Sequence, residues 1–204
     1  MKKSLFILLA LSVSVFAIAQ ENKNVKEIGL LFNSTNSFGF TYRTGTDQSL
    51  WRFSALNLSG GNQKLNADSI TTKHNDMGFG LKLGKEFRKN IAKKLDLRYG
   101  VDLSFYYDKY YSEREDQSME NYEYSDSEVT YSPGINLVLG LNYQIHKNIF
   151  IGAEILPFIN YITGSESISQ PYDNDLNEEK RDISGFEFGL SSSSVMLSIV
   201  YQFN

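Results

Sequence analysis

The feature that most constrains this chain is a strict alternation of apolar and polar residues. From Leu95 to Tyr107 the odd positions read Leu95, Leu97, Tyr99, Val101, Leu103, Phe105 and Tyr107. The even positions between them read Asp96, Arg98, Gly100, Asp102, Ser104 and Tyr106. The same pattern runs from Val129 to Ile145, with Ile135, Leu137, Leu139, Leu141 and Tyr143 set against Gly134, Asn136, Val138, Gly140 and Asn142. A 3.6-residue period would scatter such an apolar set around a helix, so both segments are long strands. Six further segments follow the rule less cleanly: Val25–Ser34, Ser37–Thr44, Leu50–Ser59, Met77–Arg88, Ile149–Ile162 and Phe186–Phe203. Segments rich in Gly, Asn, Asp and Ser separate them, as turns require. Two facings stay open at this point. Leu56 and Leu58 break the phase of strand three, and strand eight changes phase across Ser191–Ser194, where a bulge would restore it.

The connections alternate in length. Gly45–Ser49, Lys89–Lys94 and His146–Asn148 are short, whereas Gly60–Asn75, Ser112–Glu128 and Thr163–Ile183 are long and polar. Ser34-Thr35-Asn36 is the short exception on the long side. Alternation alone does not say which face is inside, but volume does. About forty large apolar side chains cannot fit in an eight-stranded barrel, whose interior side chains just fill. The polar face suits a narrow interior, because ten of the fifteen glycines fall on it: Gly29, Gly39, Gly78, Gly80, Gly84, Gly100, Gly134, Gly140, Gly152 and Gly189. The prediction is an all-β, eight-stranded antiparallel up-and-down transmembrane β-barrel, with its apolar face toward lipid and its long connections outside.

Residues 1–19 have the form of a signal peptide. Lys2 and Lys3 precede an apolar run from Leu5 to Ile18, and Ala17-Ile18-Ala19 is a small-residue cleavage site. A transmembrane anchor is the competing reading, and it would need about 20 apolar residues. Residues 20–204 then form the barrel domain. Cleavage takes the charge from −4 to −6, which argues against nucleic acid as a partner. The absence of Cys removes disulfides, thiolate metal sites, a cysteine nucleophile and a lipidated cysteine.

Aromatic residues on the apolar face fall into two sets. Tyr42, Trp51, Phe87, Tyr99, Tyr143, Tyr201 and Phe203 lie near the short-turn ends of their strands. Phe32, Phe38, Phe79, Tyr107, Tyr131 and Phe186 lie toward the other ends. Two belts match the preference of amphipathic rings for membrane–water boundaries. Ordinary β-propensity in a secreted sandwich is the alternative source of such aromatics. The signal peptide, the eight alternating strands and the last strand, Val195-Met-Leu-Ser-Ile-Val-Tyr-Gln-Phe203-Asn204, resemble the small bacterial outer-membrane β-barrels, including the porin-like, OmpX- and OmpA-type proteins. The resemblance covers about residues 25–203 and is one of topology. It implies that the insertion machinery reads the terminal aromatic, here the penultimate Phe203. It carries over no catalytic or ligand residue.

The predicted interior collects Glu27, Arg43, Arg52, Lys82, Glu86, Asp96, Arg98, Asp102, Glu154 and Glu187. Such a set makes either an ion pathway or a packed network of ion pairs, and the narrow bore favours the network. His74 in a long connection and His146 at a short turn lie at opposite ends, so they cannot share a metal or form a dyad. An enzyme would need His74 with Ser69 and Asp76, residue types too common to be specific. The long connections are acidic, Ser112–Glu128 at −6 and Gly164–Asp182 at −4, whereas the turn Arg88–Lys94 is basic. Asp173-Asn174-Asp175-Leu176-Asn177 begins like a calcium loop, but Glu178 and Ser184 occupy the positions that need Gly and Glu. Strands five and six are long enough for Lys109-Tyr110-Tyr111 and Tyr122–Tyr124 to project as a tyrosine-rich hairpin, whose edge could take a partner strand. The resulting expectation is a monomer in outer-membrane lipid with no cofactor, no metal and no enzymatic activity. It would support the envelope or bind partners through its outer loops, or, alternatively, pass ions or small solutes.

Overall fold

The computed structural model describes residues 24–34, 37–116, 122–172, 175–191 and 194–203. The expected signal peptide lies outside the described residues. The chain folds into antiparallel strands β1 (Asn24–Ser34), β2 (Ser37–Thr46), β3 (Ser49–Ala67), β4 (Ile70–Ala92), β5 (Leu95–Asp116), β6 (Tyr122–His146), β7 (Ile149–Ile155), β8 (Phe158–Tyr172), β9 (Asp175–Gly189) and β10 (Val195–Phe203). Sequential neighbours pair from β1 to β7, β10 pairs with β7, and β1 pairs with β10, so the sheet closes on itself. Because β7 with β8 and β9 with β10 each form one stave, the ring has eight.

The two divided staves break at the same level. Along β6 the pairing runs on without a slip, from Leu139↔Ile155 to Asn136↔Phe158. Leu137 N–H donates to the carbonyl of Pro157 at 2.9 Å, so this side stays bonded through the proline. On the other side Leu156 N–H donates to the carbonyl of Ser194 at 2.8 Å. There the register moves from Ile155↔Val195 to Phe158↔Gly189, six residues opposite three. That odd slip keeps Phe186 and Phe188 outside along with Val195 and Leu197. The irregularity expected at Ser191–Ser194 is therefore a break of five residues, 190–194, between two strands, with a register slip of three, larger than a single bulge. Gly189, with φ of 143°, begins the departure. A Cβ there would meet nothing within 4 Å, so crowding does not explain this glycine.

Facing follows the volume argument. Ile135, Leu137, Leu139, Leu141, Leu103 and Val101 are exposed on the outer wall, while Arg43, Arg52, Arg98, Glu27 and Glu86 are buried inside. Strand three is settled the same way: Trp51 and Phe53 point out, and Leu50 and Leu56 point in. The side chain of Leu58 lies outside the described residues. Leu31, Leu56, Val138, Leu156 and Met196 form an apolar layer across the interior, nearer the hairpin end than the charges.

The long polar connections are not loops. Gly60–Ala67 pairs with Ile70–Met77, Ser112–Asp116 with Tyr122–Asp126, and Gly164–Tyr172 with Asp175–Ile183. Both faces of these segments are polar, so they show no alternation, yet cross-strand Thr, Tyr, Ser and charge pairs sustain a sheet. Only β1–β2 stays short at that end. Above it the wall is an open sheet, β3-β4-β5-β6-β8-β9, with edges at β9 and upper β3.

Candidate functional site

The interior near the short-turn end is filled by four arginines and four carboxylates. Arg52 clamps Glu154 with two bonds, Nη2–Oε1 at 2.8 Å and Nη1–Oε2 at 3.1 Å, and its Nε lies 3.3 Å from Asp102. Arg98 Nη2 bridges Glu86 at 2.6 Å and Glu154 at 2.7 Å. Arg43 reaches Glu27 at 3.4 Å and Glu86 at 3.5 Å. Arg88 closes the bottom with two bonds to Glu27, at 2.6 and 2.7 Å, and a third to Glu86 at 2.8 Å. Strand geometry explains the assembly. The members sit at alternate positions on neighbouring strands, so Arg43 pairs across from Glu27, and Arg52 directly opposite Arg43. Glycine clears the space: a Cβ at Gly152 would lie 2.5 Å from Ser198 Oγ and 3.0 Å from Arg98 Nη1. Charges taken this far from water are tolerable only when each has a partner, and here each does.

Of the ten residues expected in the interior, seven join this set: Glu27, Arg43, Arg52, Glu86, Arg98, Asp102 and Glu154. Lys82 is buried but apart, its ammonium 5.9 Å from the centre of the Tyr106 ring. Two lie elsewhere. Asp96 accepts a bond from Asn90 at 2.9 Å at the short-turn end. Glu187 is exposed, because β9 is an edge strand and no neighbour covers it. Arg88, assigned from sequence to a basic turn, is instead a network member. The signal was its even position, in phase with Lys82, Gly84 and Glu86.

Above the apolar layer lies a cavity of about 230 Å3 at the hairpin end. Lys82, Tyr106, Asn136 and Asn160 line it, together with Leu56, Leu156 and Met196. The side-chain oxygens of Asn136 and Asn160 are buried without a partner.

On the outer wall Tyr42 packs on Phe53 at 6.5 Å, Phe87 on Tyr99 at 5.7 Å and Tyr201 on Phe203 at 6.5 Å, measured between ring centres. Lys85 sits 4.9 Å over Trp51, and Tyr143 is exposed nearby. Toward the hairpins Phe79, Tyr107 and Tyr131 form a ladder with 5.4 Å steps.

The projecting sheet carries its own ion pairs. Lys73 on β4 donates to Glu113 at 2.7 Å and Glu115 at 2.8 Å on β5, which raises the lysine's proton affinity and lowers that of Glu113. On β9 Arg181 holds Glu179 at 2.9 Å, and that carboxyl also lies below its ordinary value. His74 meets Tyr110, with Nδ1 and the phenolic oxygen 3.3 Å apart, rather than Ser69 or Asp76. His146 is at the β6–β7 turn. Asp173 and Asn174 of the calcium-like stretch lie outside the described residues. Among the described residues no three His, Asp or Glu side chains converge on a metal position.

No family model matches the chain, and no curated protein is similar to it in sequence. Solved structures do resemble it. A major outer membrane protein from Thermus thermophilus superimposes with a TM-score of 0.53 at 9% identity, over 90% of this chain and 100% of that one. Acinetobacter baumannii CarO gives a TM-score of 0.37 at 10% identity, over 89% of this chain and 98% of the other. The first likeness shows that the fold is the barrel used by outer-membrane proteins.

Proposed function

We propose that this chain is a non-enzymatic outer-membrane barrel, exported by its N-terminal signal peptide, monomeric in lipid, and engaged in surface binding or envelope support through its projecting sheet. The observation that carries the reading is the inversion of the barrel. Its outer wall is apolar with aromatic rings toward both ends, and its bore is filled by paired charges. Lipid is the environment that rewards such a wall. Phe203, closing β10, suits recognition by the insertion machinery. β5 and β6 run 22 and 25 residues, against about 9–11 for a tilted crossing. The surplus is roughly 35–45 Å of hairpin, acidic and ending in open sheet edges that suit strand addition by a partner.

The test pairs two measurements. Refolded protein, with folding checked by a heat-dependent gel shift, should give no steady conductance steps in a planar bilayer. Cells displaying a variant in which Asn-Gly joins Tyr110 to Glu128, a register pair in the native hairpin, should lose adhesion that the full chain confers. The second reading, a narrow transporter of ions or small solutes, is favoured by interior polar atoms that make no hydrogen bond, on Asn142 and Ser198 and on Asp102, which has only its ion pair with Arg52. Steady steps from folded protein would give that reading the lead.

A further inference from the structure

The cavity at the hairpin end has three properties that together describe a ligand. Its floor carries an excess positive charge. The four buried arginines are balanced by Glu27, Glu86, Asp102 and Glu154, which leaves Lys82 over. Lys82 is 5% exposed, lines the cavity, and forms no ion pair among the described residues. Asn136 and Asn160, also buried, line the same space, and their side-chain oxygens are acceptors without a partner. Two carboxylates, Asp108 and Glu187, line the cavity too, but both are exposed and solvated.

The second property is an apolar flank. Leu56, Leu156 and Met196 form one side, on the layer that seals the bore below. The third is a gap in the wall. β1 and β2 end at Ser34 and Ser37, whereas β9 and upper β3 continue past them. Among the described residues β9 pairs only with β8, and no strand pairing joins β9 to the β1–β2 hairpin. Asn33, at that tip, lines the cavity. The surface flanking the gap is strongly apolar: Phe186, Phe188 and Leu190 are 76%, 78% and 62% exposed, and Phe38 is 60% exposed. A strand edge so apolar is out of place in water and is accounted for by lipid or a lipid-like occupant.

We infer that this cavity is a binding site for a single-chain amphiphile with an anionic head, which arrives from the outer leaflet through the gap between β9 and the β1–β2 hairpin. The anionic group is held by the Lys82 ammonium, the Asn136 and Asn160 oxygens are left to accept from a hydroxyl of the head or a water beside it, and the chain runs over Leu156 and Met196 toward Phe186 and Phe188. At about 230 Å3 the cavity takes the head and the first methylenes, and the gap takes the rest. This assignment rests on the outer-membrane reading above and on no conducting path.

The experiment uses the full mature barrel in phosphatidylcholine vesicles. Photoactivatable dodecanoic acid and a photoactivatable lysophosphatidic acid are applied in separate arms, and the adducts are mapped by mass spectrometry. Adducts on Leu156, Met196 or Phe158 are expected with at least one probe, and the stronger arm identifies the head as carboxylate or phosphate. Lys82→Gln should cut those adducts at least tenfold while outer-wall adducts near Phe105 and Tyr131 persist. Photoactivatable dodecanol, uncharged, should label the wall alone. A second variant guards against a folding artefact: with no native Cys, Asn33→Cys with Glu187→Cys can be tied by a reducible bis-thiol linker across the gap. Tying should abolish cavity adducts and reduction should restore them. Cavity adducts indifferent to Lys82, or wall adducts alone from all probes, overturn the site. Absence of wall adducts as well means that the protein is not in the bilayer, and the outer-membrane reading fails first.

Discussion

Glu86→Gln is the most informative single change in the barrel. Glu86 is fully buried and meets four guanidinium groups: Arg98 at 2.6 Å, Arg88 at 2.8 Å, Arg52 at 3.3 Å and Arg43 at 3.5 Å. Glutamine keeps the shape, so no cavity contributes to the loss. What changes is the charge, and one arginine's worth of positive charge is left buried without an equal partner. Breaking a buried pair from one side costs about 3–5 kcal/mol. With a urea dependence of about 2 kcal/mol/M, the unfolding midpoint should fall by about 1.5–2.5 M. The assay is urea titration of vesicle-inserted protein, followed by the fluorescence of the single tryptophan, Trp51, and by gel mobility without heating. The companion Glu86→Gln with Arg98→Met restores the balance and should recover part of the loss, with a coupling of about 0.5–3 kcal/mol. A midpoint shift below about 0.3 M for Glu86→Gln would falsify the claim that the network is dry and cohesive, and would mean that water already solvates these arginines.

Three further perturbations address the wall, the bore and the projecting sheet. Leu137 is 52% exposed on the outer wall; Leu137→Arg should destabilise the inserted barrel by about 2–4 kcal/mol. A water-facing wall would tolerate the same change within about 0.5 kcal/mol, so equilibrium unfolding from vesicles separates the two. Gly152→Ala puts a Cβ within 2.5 Å of Ser198 Oγ and 3.1 Å of Asn142 Oδ1, an overpacking expected to cost about 1–3 kcal/mol in the same titration. Glu113 carries a lowered carboxyl, chiefly because Lys73 donates to it. A carboxylate lowered by folding contributes above its unfolded value near 4.5 and loses that contribution as pH falls through its folded value. The β4–β5 extension should therefore hold at neutral pH and loosen below about pH 4. Carboxyl shift titration, with amide exchange corrected for intrinsic rate, reads this directly. Loosening that begins well above pH 5 would sink the assignment.

The sequence revealed the barrel and concealed its upper half, and the reason is physical. Inside the apolar band, one face sees lipid and the other sees packed charge, so Leu95–Tyr107 and Val129–Ile145 alternate sharply. Beyond it both faces see water, and nothing in Ser112–Asp116 distinguishes a strand from a loop except the partner it pairs with. Arg88 was legible by parity but masked by its basic neighbours Lys89, Lys93 and Lys94. Glu187 had the right parity and the wrong context, because its inward position lies on a strand with no outer neighbour. That depended on where the β1–β2 hairpin stops.

The register break beside Leu156 links the features that give this barrel its character. Leu156 N–H donates to the carbonyl of Ser194 at 2.8 Å, and beyond that bond the register on this side opens by three residues while the β6 side runs on without a slip. Had the register continued, residues 189–194 would have extended β10 in line beside β1. The slip instead detaches β9 from the ring and aligns it with β8 alone, so the outer wall ends unevenly. Below that level the bore is closed twice, by the arginine–carboxylate network and by the layer of Leu31, Leu56, Val138, Leu156 and Met196. Above it the interior is open to the side. A molecule reaching Lys82 from the short-turn end would have to break both seals, whereas one arriving over Asn33 meets neither. Function in this chain is therefore expected at the hairpin end, on the projecting sheet and in the cavity beneath it.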